Sequence, residues 1–149
     1  VIDQSTFDEV HERVWAALAE PGDWLEAVER RELVRAVRAS ADCAVCDARA
    51  DAASPALAGM EHAPGAVLPA ALVDLAHRVA RDNARLARTW AEGVIAELGP
   101  GPYAETVGIA ASVRVMDVFR RCTGRSPGTA RQPSASICSR FSCPRRLDA

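Results

Sequence analysis

Apolar residues recur at three- and four-residue spacing along most of this chain, and nowhere do apolar and polar positions alternate strictly enough to suggest a strand. Phe7, Val10, Val14, Ala17 and Leu18 share one face of a helix expected over about residues 7–20. Thr6 and Glu9 have the spacing of a capping box, with Thr6 as N-cap. Pro21-Gly22-Asp23 stops that helix, and Trp24, Leu25, Val28, Leu33, Ala36 and Val37 supply the stripe of a second, over about residues 24–40. After a short break at Ser40-Ala41-Asp42, a third helix is expected to run to about Ala53 and to end at Ser54-Pro55. Residues 55–67 read as a loop. Leu72, Leu75, Ala76 and Val79 mark a fourth helix with Pro69 suited to its N1 position. Asp82-Asn83 interrupts, and Leu86, Trp90, Val94, Ile95 and Leu98 form a fifth stripe. Gly99-Pro100-Gly101-Pro102 reads as a stop, after which the most apolar helix extends from about Tyr103 to Cys122, with Gly124 as its C′ residue. The pattern predicts an all-α protein of about six helices.

From Arg125 the periodicity vanishes and Ser, Pro and Arg dominate. The chain therefore divides into a helical domain, residues 1–124, and an Arg/Ser/Pro-rich tail, residues 125–149, expected to be disordered. At 149 residues, 49% hydrophobic and 26% charged, one globular domain is expected. A net charge of −2 gives no reason to expect nucleic acid or an acidic membrane surface as partner. No apolar run approaches the ~18 residues of a membrane span, so a cytoplasmic protein is expected. All 18 basic residues are Arg, which we read as compositional bias.

The five cysteines are Cys43, Cys46, Cys122, Cys138 and Cys143. An odd number with one tight pair does not resemble a secreted disulfide framework. Asp42 is a good N-cap residue, which would put Cys43 in the first turn of the third helix. Unpaired backbone N–H groups and the positive end of the helix dipole there favour thiolate, the form that attacks peroxides and disulfides. A redox dithiol is the sharpest hypothesis; metal ligation and inert buried thiols fit the same spacing. A zinc site needs four ligands, and the cysteine pair supplies two. Cys138 and Cys143 lie in the tail and no His-x-x-x-His is present, so neither metal nor other cofactor is expected.

The stretch Glu32-Leu-Val-Arg-Ala-Val-Arg-Ala-Ser-Ala-Asp-Cys43-Ala-Val-Cys46 resembles the AhpD-like alkylhydroperoxidases of the carboxymuconolactone decarboxylase superfamily, in which a Glu and a helical spacer precede Cys-x-x-Cys. Tyr103-Ala-Glu105-Thr-Val107 is similar to that family's Tyr-x-Glu-Leu-Val run, and the resemblance extends over about residues 10–124. It implies an all-helical subunit of a symmetric homo-oligomer acting as a thiol-dependent peroxidase or disulfide reductase. Cys46 would attack the peroxide, Cys43 would resolve the sulfenic acid to a disulfide, and Glu32 would serve as base. A lipoyl or thioredoxin-like protein would act as thiol reductant for an organic or hydrogen peroxide. The family's His is replaced by Ala50, which opens an alternative: a degenerate, non-enzymatic helical protein serving oligomer assembly or partner binding.

Other residues carry plainer readings. Glu32 is equally a solvated helix charge. His77, among Leu75, Ala76 and Val79, reads as a core histidine with a backbone partner, and His62 as a loop surface residue; both are accessory candidates for the site. Glu105 suits an ion pair, Asp117 has the spacing to pair with Arg114, and Trp15, Trp24 and Trp90 read as core or interface aromatics.

Overall fold

The computed structural model describes residues 4–53 and 62–128. Six α-helices occur among them: α1 (Gln4–Ala19), α2 (Ala27–Ala39), α3 (Ala44–Asp51), α4 (Ala70–Arg81), α5 (Arg88–Leu98) and α6 (Pro100–Cys122). Two 3-10 turns, Ser40–Asp42 and Asn83–Arg85, precede α3 and α5, and no strand is present among the described residues. The fold is all-α, as the periodicity predicts.

Helices α2, α4 and α6 pack on one another, with α1 against α2 and α5 against α4 and α6. Leu33, Val34 and Val37 of α2, Leu72, Ala76 and Ala80 of α4, and Ile109, Ala110, Val113 and Met116 of α6 build a common core closed by Trp15 and Leu18 of α1. Each set follows the three- and four-residue recurrence that aligns side chains on one helix face. The long α6 buries only one of its two apolar faces, leaving Val115 and Val118 exposed.

The helix ends show where local signals act. Gly99, at φ +86°, breaks the chain between α5 and α6. Pro100 then opens α6, so the Pro-Gly-Pro run forms its first turn rather than delaying it to Tyr103. A first-turn proline sacrifices no helical hydrogen bond, which is why the expected stop is one residue long. At the other end Gly124, at φ +70°, follows Thr123. Its N–H reaches Arg121 O, and Arg125 N–H reaches Arg120 O at 2.7 Å, the paired bonds of a Schellman cap. The first helix begins at Gln4, so Thr6 lies inside it and does not cap it. Trp24 precedes α2 and is 60% exposed, in contrast to the buried Trp15. Leu25 is buried, and Glu29 reaches back to accept the N–H of Glu26 at 2.8 Å, fixing the start of α2. Pro69 is the N-cap of α4, one position before the expected N1.

Two acidic residues of α6 join distant segments. Glu105 pairs with Arg30 and accepts the backbone N–H groups of Trp24 (3.1 Å) and Leu25 (3.3 Å). Asp117 takes both nitrogens of a forked bond from Arg38, at 2.7 Å each; this long-range pair replaces the expected one with Arg114, because Arg38 offers two parallel donors from the facing helix. The first residues beyond position 124 also make contacts with the helices. Arg125 pairs with Asp8, Gly128 O accepts from Arg38 at 2.6 Å, and Gly128 lies directly against the Trp15 indole. Residues 125–128 are thus packed on the helices; residues 129–149, most of the expected tail, lie outside the described residues, as does the Ser54-Pro55 stop.

Candidate active site: a buried dithiol facing two histidines

Helix α3 has eight residues and could not persist alone, since so short a helix does not repay its nucleation cost. Two arginines hold it. Arg81, at the end of α4, donates to Ala41 O and to Asp47 Oδ1, both at 2.7 Å, and so fastens the N-terminal end. Arg85 donates to Arg49 O at 2.7 Å and Ala52 O at 3.2 Å, satisfying carbonyls at the C-terminal end where a cation also suits the helix dipole. Upstream, the buried Ser40 hydroxyl donates to Val37 O at 2.6 Å and α2 tightens into the 3-10 turn through Asp42. The consequence is a shift of the helix start. Cys43 itself, with φ −91° and ψ 116°, is the N-cap of α3, and Asp42 is not. Cys46, not Cys43, lies in the first helical turn.

That turn points Cys46 inward. Its Sγ is 3.4 Å from His62 Nε2 and 3.5 Å from His77 Nδ1. Cys46, His62 and His77 are all buried, Cys43 partly so. The two imidazole rings meet edge to face at a centroid separation of 4.4 Å. Each ring has a further partner. His62 Nδ1 lies 2.7 Å from Asp74 Oδ1, and a carboxylate there makes Nδ1 the protonated nitrogen and leaves the Nε2 lone pair on Cys46. His77 is hydrogen-bonded to the Ala36 backbone. Asp74 is in turn held by Arg49 and by Arg78 Nε at 2.7 Å. Arg78 also stacks on the Trp90 ring, 4.9 Å from its centroid, which accounts for that half-buried aromatic.

The electrostatics run against the thiolate expected from the helix start. Burial, then the hydrogen bond and proximity of Cys43, push the Cys46 thiol up to about 12, outweighing the nearby Arg81 and Arg49 charges. Desolvation of a charged sulfur exceeds what a short helix dipole returns. Burial and the neighbouring His62 push His77 down to about 4, so its imidazole is neutral at ordinary pH. Burial also works against the Asp74 carboxylate, but hydrogen bonds from Arg49 and His62 and the charges of Arg78 and Arg49 prevail and hold its pKa below the usual value. The resting site therefore holds a neutral Cys46 thiol beside a neutral His77 imidazole, backed by the ionised Asp74 carboxylate. A cleft of about 20 Å³, lined by Cys46, Arg49, Ala50, His77 and Arg78 among others, adjoins the sulfur.

The structure brings Cys43, Cys46, His62 and His77 together. His62 is buried and not the surface residue its loop position suggests, while His77 has both the core setting and the backbone partner expected of it. Glu32 stands apart from this group; its carboxylate pairs with Arg35 on the same helix. Asp74 and Arg49 are the participants that sequence reasoning passes over. The only local hint is Asp74-x-x-His77-Arg78, a spacing that puts carboxylate, imidazole and guanidinium on adjoining helical positions.

Compared with known proteins, the chain matches no family model, no curated protein and no solved structure. Fold and site together define an all-α protein with a Cys-x-x-Cys dithiol enclosed by two histidines. No helix among the described residues is long and apolar enough to cross a membrane.

Proposed function

We propose that this chain is a thiol-dependent peroxidase or disulfide reductase, with Cys46 as the attacking sulfur and Cys43 as its resolving partner. The observation that carries this reading is the succession of contacts from Cys46 Sγ to His62 to Asp74, at 3.4 and 2.7 Å. It supports general-base catalysis of thiol attack, the role that the AhpD-like resemblance assigns to Glu32. His62 Nε2 takes the Cys46 proton as the sulfur attacks the O–O bond. The bond breaks, the proton passes to the departing oxygen, and Cys46 leaves as sulfenic acid with an alcohol or water as co-product. The Cys43 thiol condenses with that sulfenic acid, releasing water and forming the Cys43–Cys46 disulfide. A dithiol reductant, such as a lipoyl or thioredoxin-like protein, then exchanges with the disulfide and is itself oxidised. The small cleft beside Cys46 favours hydrogen peroxide or the terminal –OOH of an organic hydroperoxide over a bulky reacting centre.

Cumene hydroperoxide consumption with dithiothreitol or dihydrolipoamide tests the reading. Turnover above a Cys43→Ser/Cys46→Ser control is expected; its absence overturns the enzymatic assignment. A second reading, a helical protein without turnover, is favoured by the 7% exposure and elevated pKa of Cys46, and by Ala50 at the expected histidine position. Self-association suits either reading. Val115, 66% exposed, and Val118 lie along a groove of about 650 Å³ with Val79, Ala111 and Phe119. Such an apolar surface favours a homo-oligomer. A monomeric mass by light scattering would remove that part.

A further inference from the structure

We propose that Cys43, Cys46, His62 and His77 form a tetrahedral binding site for one Zn²⁺ ion. Sequence reasoning stopped at two sulfur ligands because the histidines come from a loop and from α4, 16 and 31 residues beyond Cys46. The fold supplies the other two.

The donor set is the first argument. Two thiol sulfurs and two imidazole nitrogens are the ligand types that select zinc and similar soft-to-borderline cations. Geometry is the second. The four donor atoms all lie within 4.8 Å of one another. A tetrahedral centre with Zn–S near ~2.3 Å and Zn–N near ~2.0–2.1 Å holds sulfur and nitrogen about 3.5 Å apart. The two Cys46 separations are 3.4 and 3.5 Å.

The orientation of the rings is the third argument, independent of the other two. His62 is engaged by Asp74 through the nitrogen away from the sulfur, and His77 is hydrogen-bonded to the Ala36 backbone. This is how ligating histidines are aimed at a metal, and the Asp74–His62 contact reproduces the carboxylate–histidine support common behind zinc. Both rings present a nitrogen to one sulfur, yet a Cys46 thiol has a single proton to give. A cation at the centre of the group serves both nitrogens together.

Charge is the fourth. Binding exchanges the two thiol protons for one divalent ion, so the loaded site is neutral, and two protons are released. A neutral complex is the form a buried pocket accepts at least cost. Asp74 remains balanced by Arg49 and Arg78 outside the ligand shell. Metal binding and thiol oxidation use the same two sulfurs and exclude each other, so zinc would hold the dithiol reduced and idle. The inference does not depend on peroxide turnover.

The test is titration of reduced, metal-free full-length protein with Co²⁺ as a spectroscopic substitute. The expected result is a 1:1 complex with the intense visible bands of tetrahedral cobalt and a sulfur-to-cobalt charge-transfer band, both displaced by one equivalent of Zn²⁺. The variant Cys122→Ser/Cys138→Ser/Cys143→Ser should behave as wild type, while Cys43→Ser and His77→Ala should lose the tetrahedral spectrum. Asp74→Asn should bind ~10–100-fold more weakly. His77→Cys, with circular dichroism to confirm helicity, should restore a tetrahedral spectrum with stronger charge transfer. An octahedral spectrum in wild type, or bands that follow Cys122, Cys138 or Cys143, would overturn the proposal whatever the peroxidase assay shows.

Discussion

Asp74 is the point at which the site and the stability of the fold meet, and Asp74→Asn separates charge from shape there. The substitution keeps the size of the side chain and one carbonyl oxygen, so His62 Nδ1 still has an acceptor. It removes the negative charge that faces Arg49 and Arg78, and in one rotamer it turns an amide donor towards Arg78 Nε. The side chains concerned are 20% exposed for Asp74, 6% for Arg49 and 16% for Arg78. A fully exposed ion pair contributes ~0–1 kcal/mol, whereas removing one partner of a buried pair costs ~3–5 kcal/mol. The low exposure of Arg49 places this case near the buried limit and the partial exposure of Asp74 moderates it, giving about 3 kcal/mol. For a protein of this size ~1 kcal/mol corresponds to ~2–4 °C, so the melting temperature should fall by about 6–12 °C. Thermal unfolding followed by circular dichroism on the reduced, metal-free protein reads this directly. Peroxide turnover, measured well below the melting temperature, should fall by ~10²-fold or more because His62 loses the negative charge that supports its imidazolium as it takes the Cys46 proton. A variant that melts within ~1 kcal/mol of wild type and turns over normally would refute the assignment of Asp74 as both anchor and positioning residue.

Cys46→Ser should abolish peroxide consumption outright, whereas Cys43→Ser should stop after one turnover with a sulfenic acid on Cys46 that dimedone captures; capture on any other cysteine contradicts the assignment of roles. Because His77 titrates near 4 in the folded chain and near ~6.5 when unfolded, stability of the metal-free protein should be fully present above ~pH 6.5 and decline as pH falls towards 4, with a slope approaching ~1.4 kcal/mol per pH unit. His77→Gln should flatten that slope in urea unfolding measured across pH 4–7, and an unchanged slope would show that some other group controls it. Glu105→Gln weakens the bond to Arg30 and the bonds to the Trp24 and Leu25 N–H groups; with Glu105 9% and Arg30 13% exposed, a loss of about 3 kcal/mol is expected by chemical denaturation.

The positions of the helices were legible in the chain because they depend on neighbours three and four residues apart. The Schellman glycine at 124 and the break at Gly99 belong to the same class: backbone conformations that glycine adopts without a Cβ penalty. The reading faltered where two local signals competed. Pro-Gly-Pro after Gly99 has the composition of a turn, but a proline at a helix start is also favourable, and packing of α6 chose the second.

What sequence alone determined is a set of amphipathic helices and a pair of cysteines three residues apart, properties fixed by covalent order and helical period. Tertiary structure decided the rest. Asp117 found Arg38 across the interface and not Arg114 along its own helix, since a guanidinium from a facing helix presents two donors at once. His62 and His77 converged on Cys46 from separate segments, and Glu32 was left outside that group. The acidity of Cys46 was decided the same way. Chain order places the sulfur at a helix start, where a thiolate is favoured, but three-dimensional packing takes it out of water, and desolvation outweighs the field of one short helix. A side chain's partners and its dielectric surroundings come from residues remote in sequence, and only folding brings them together.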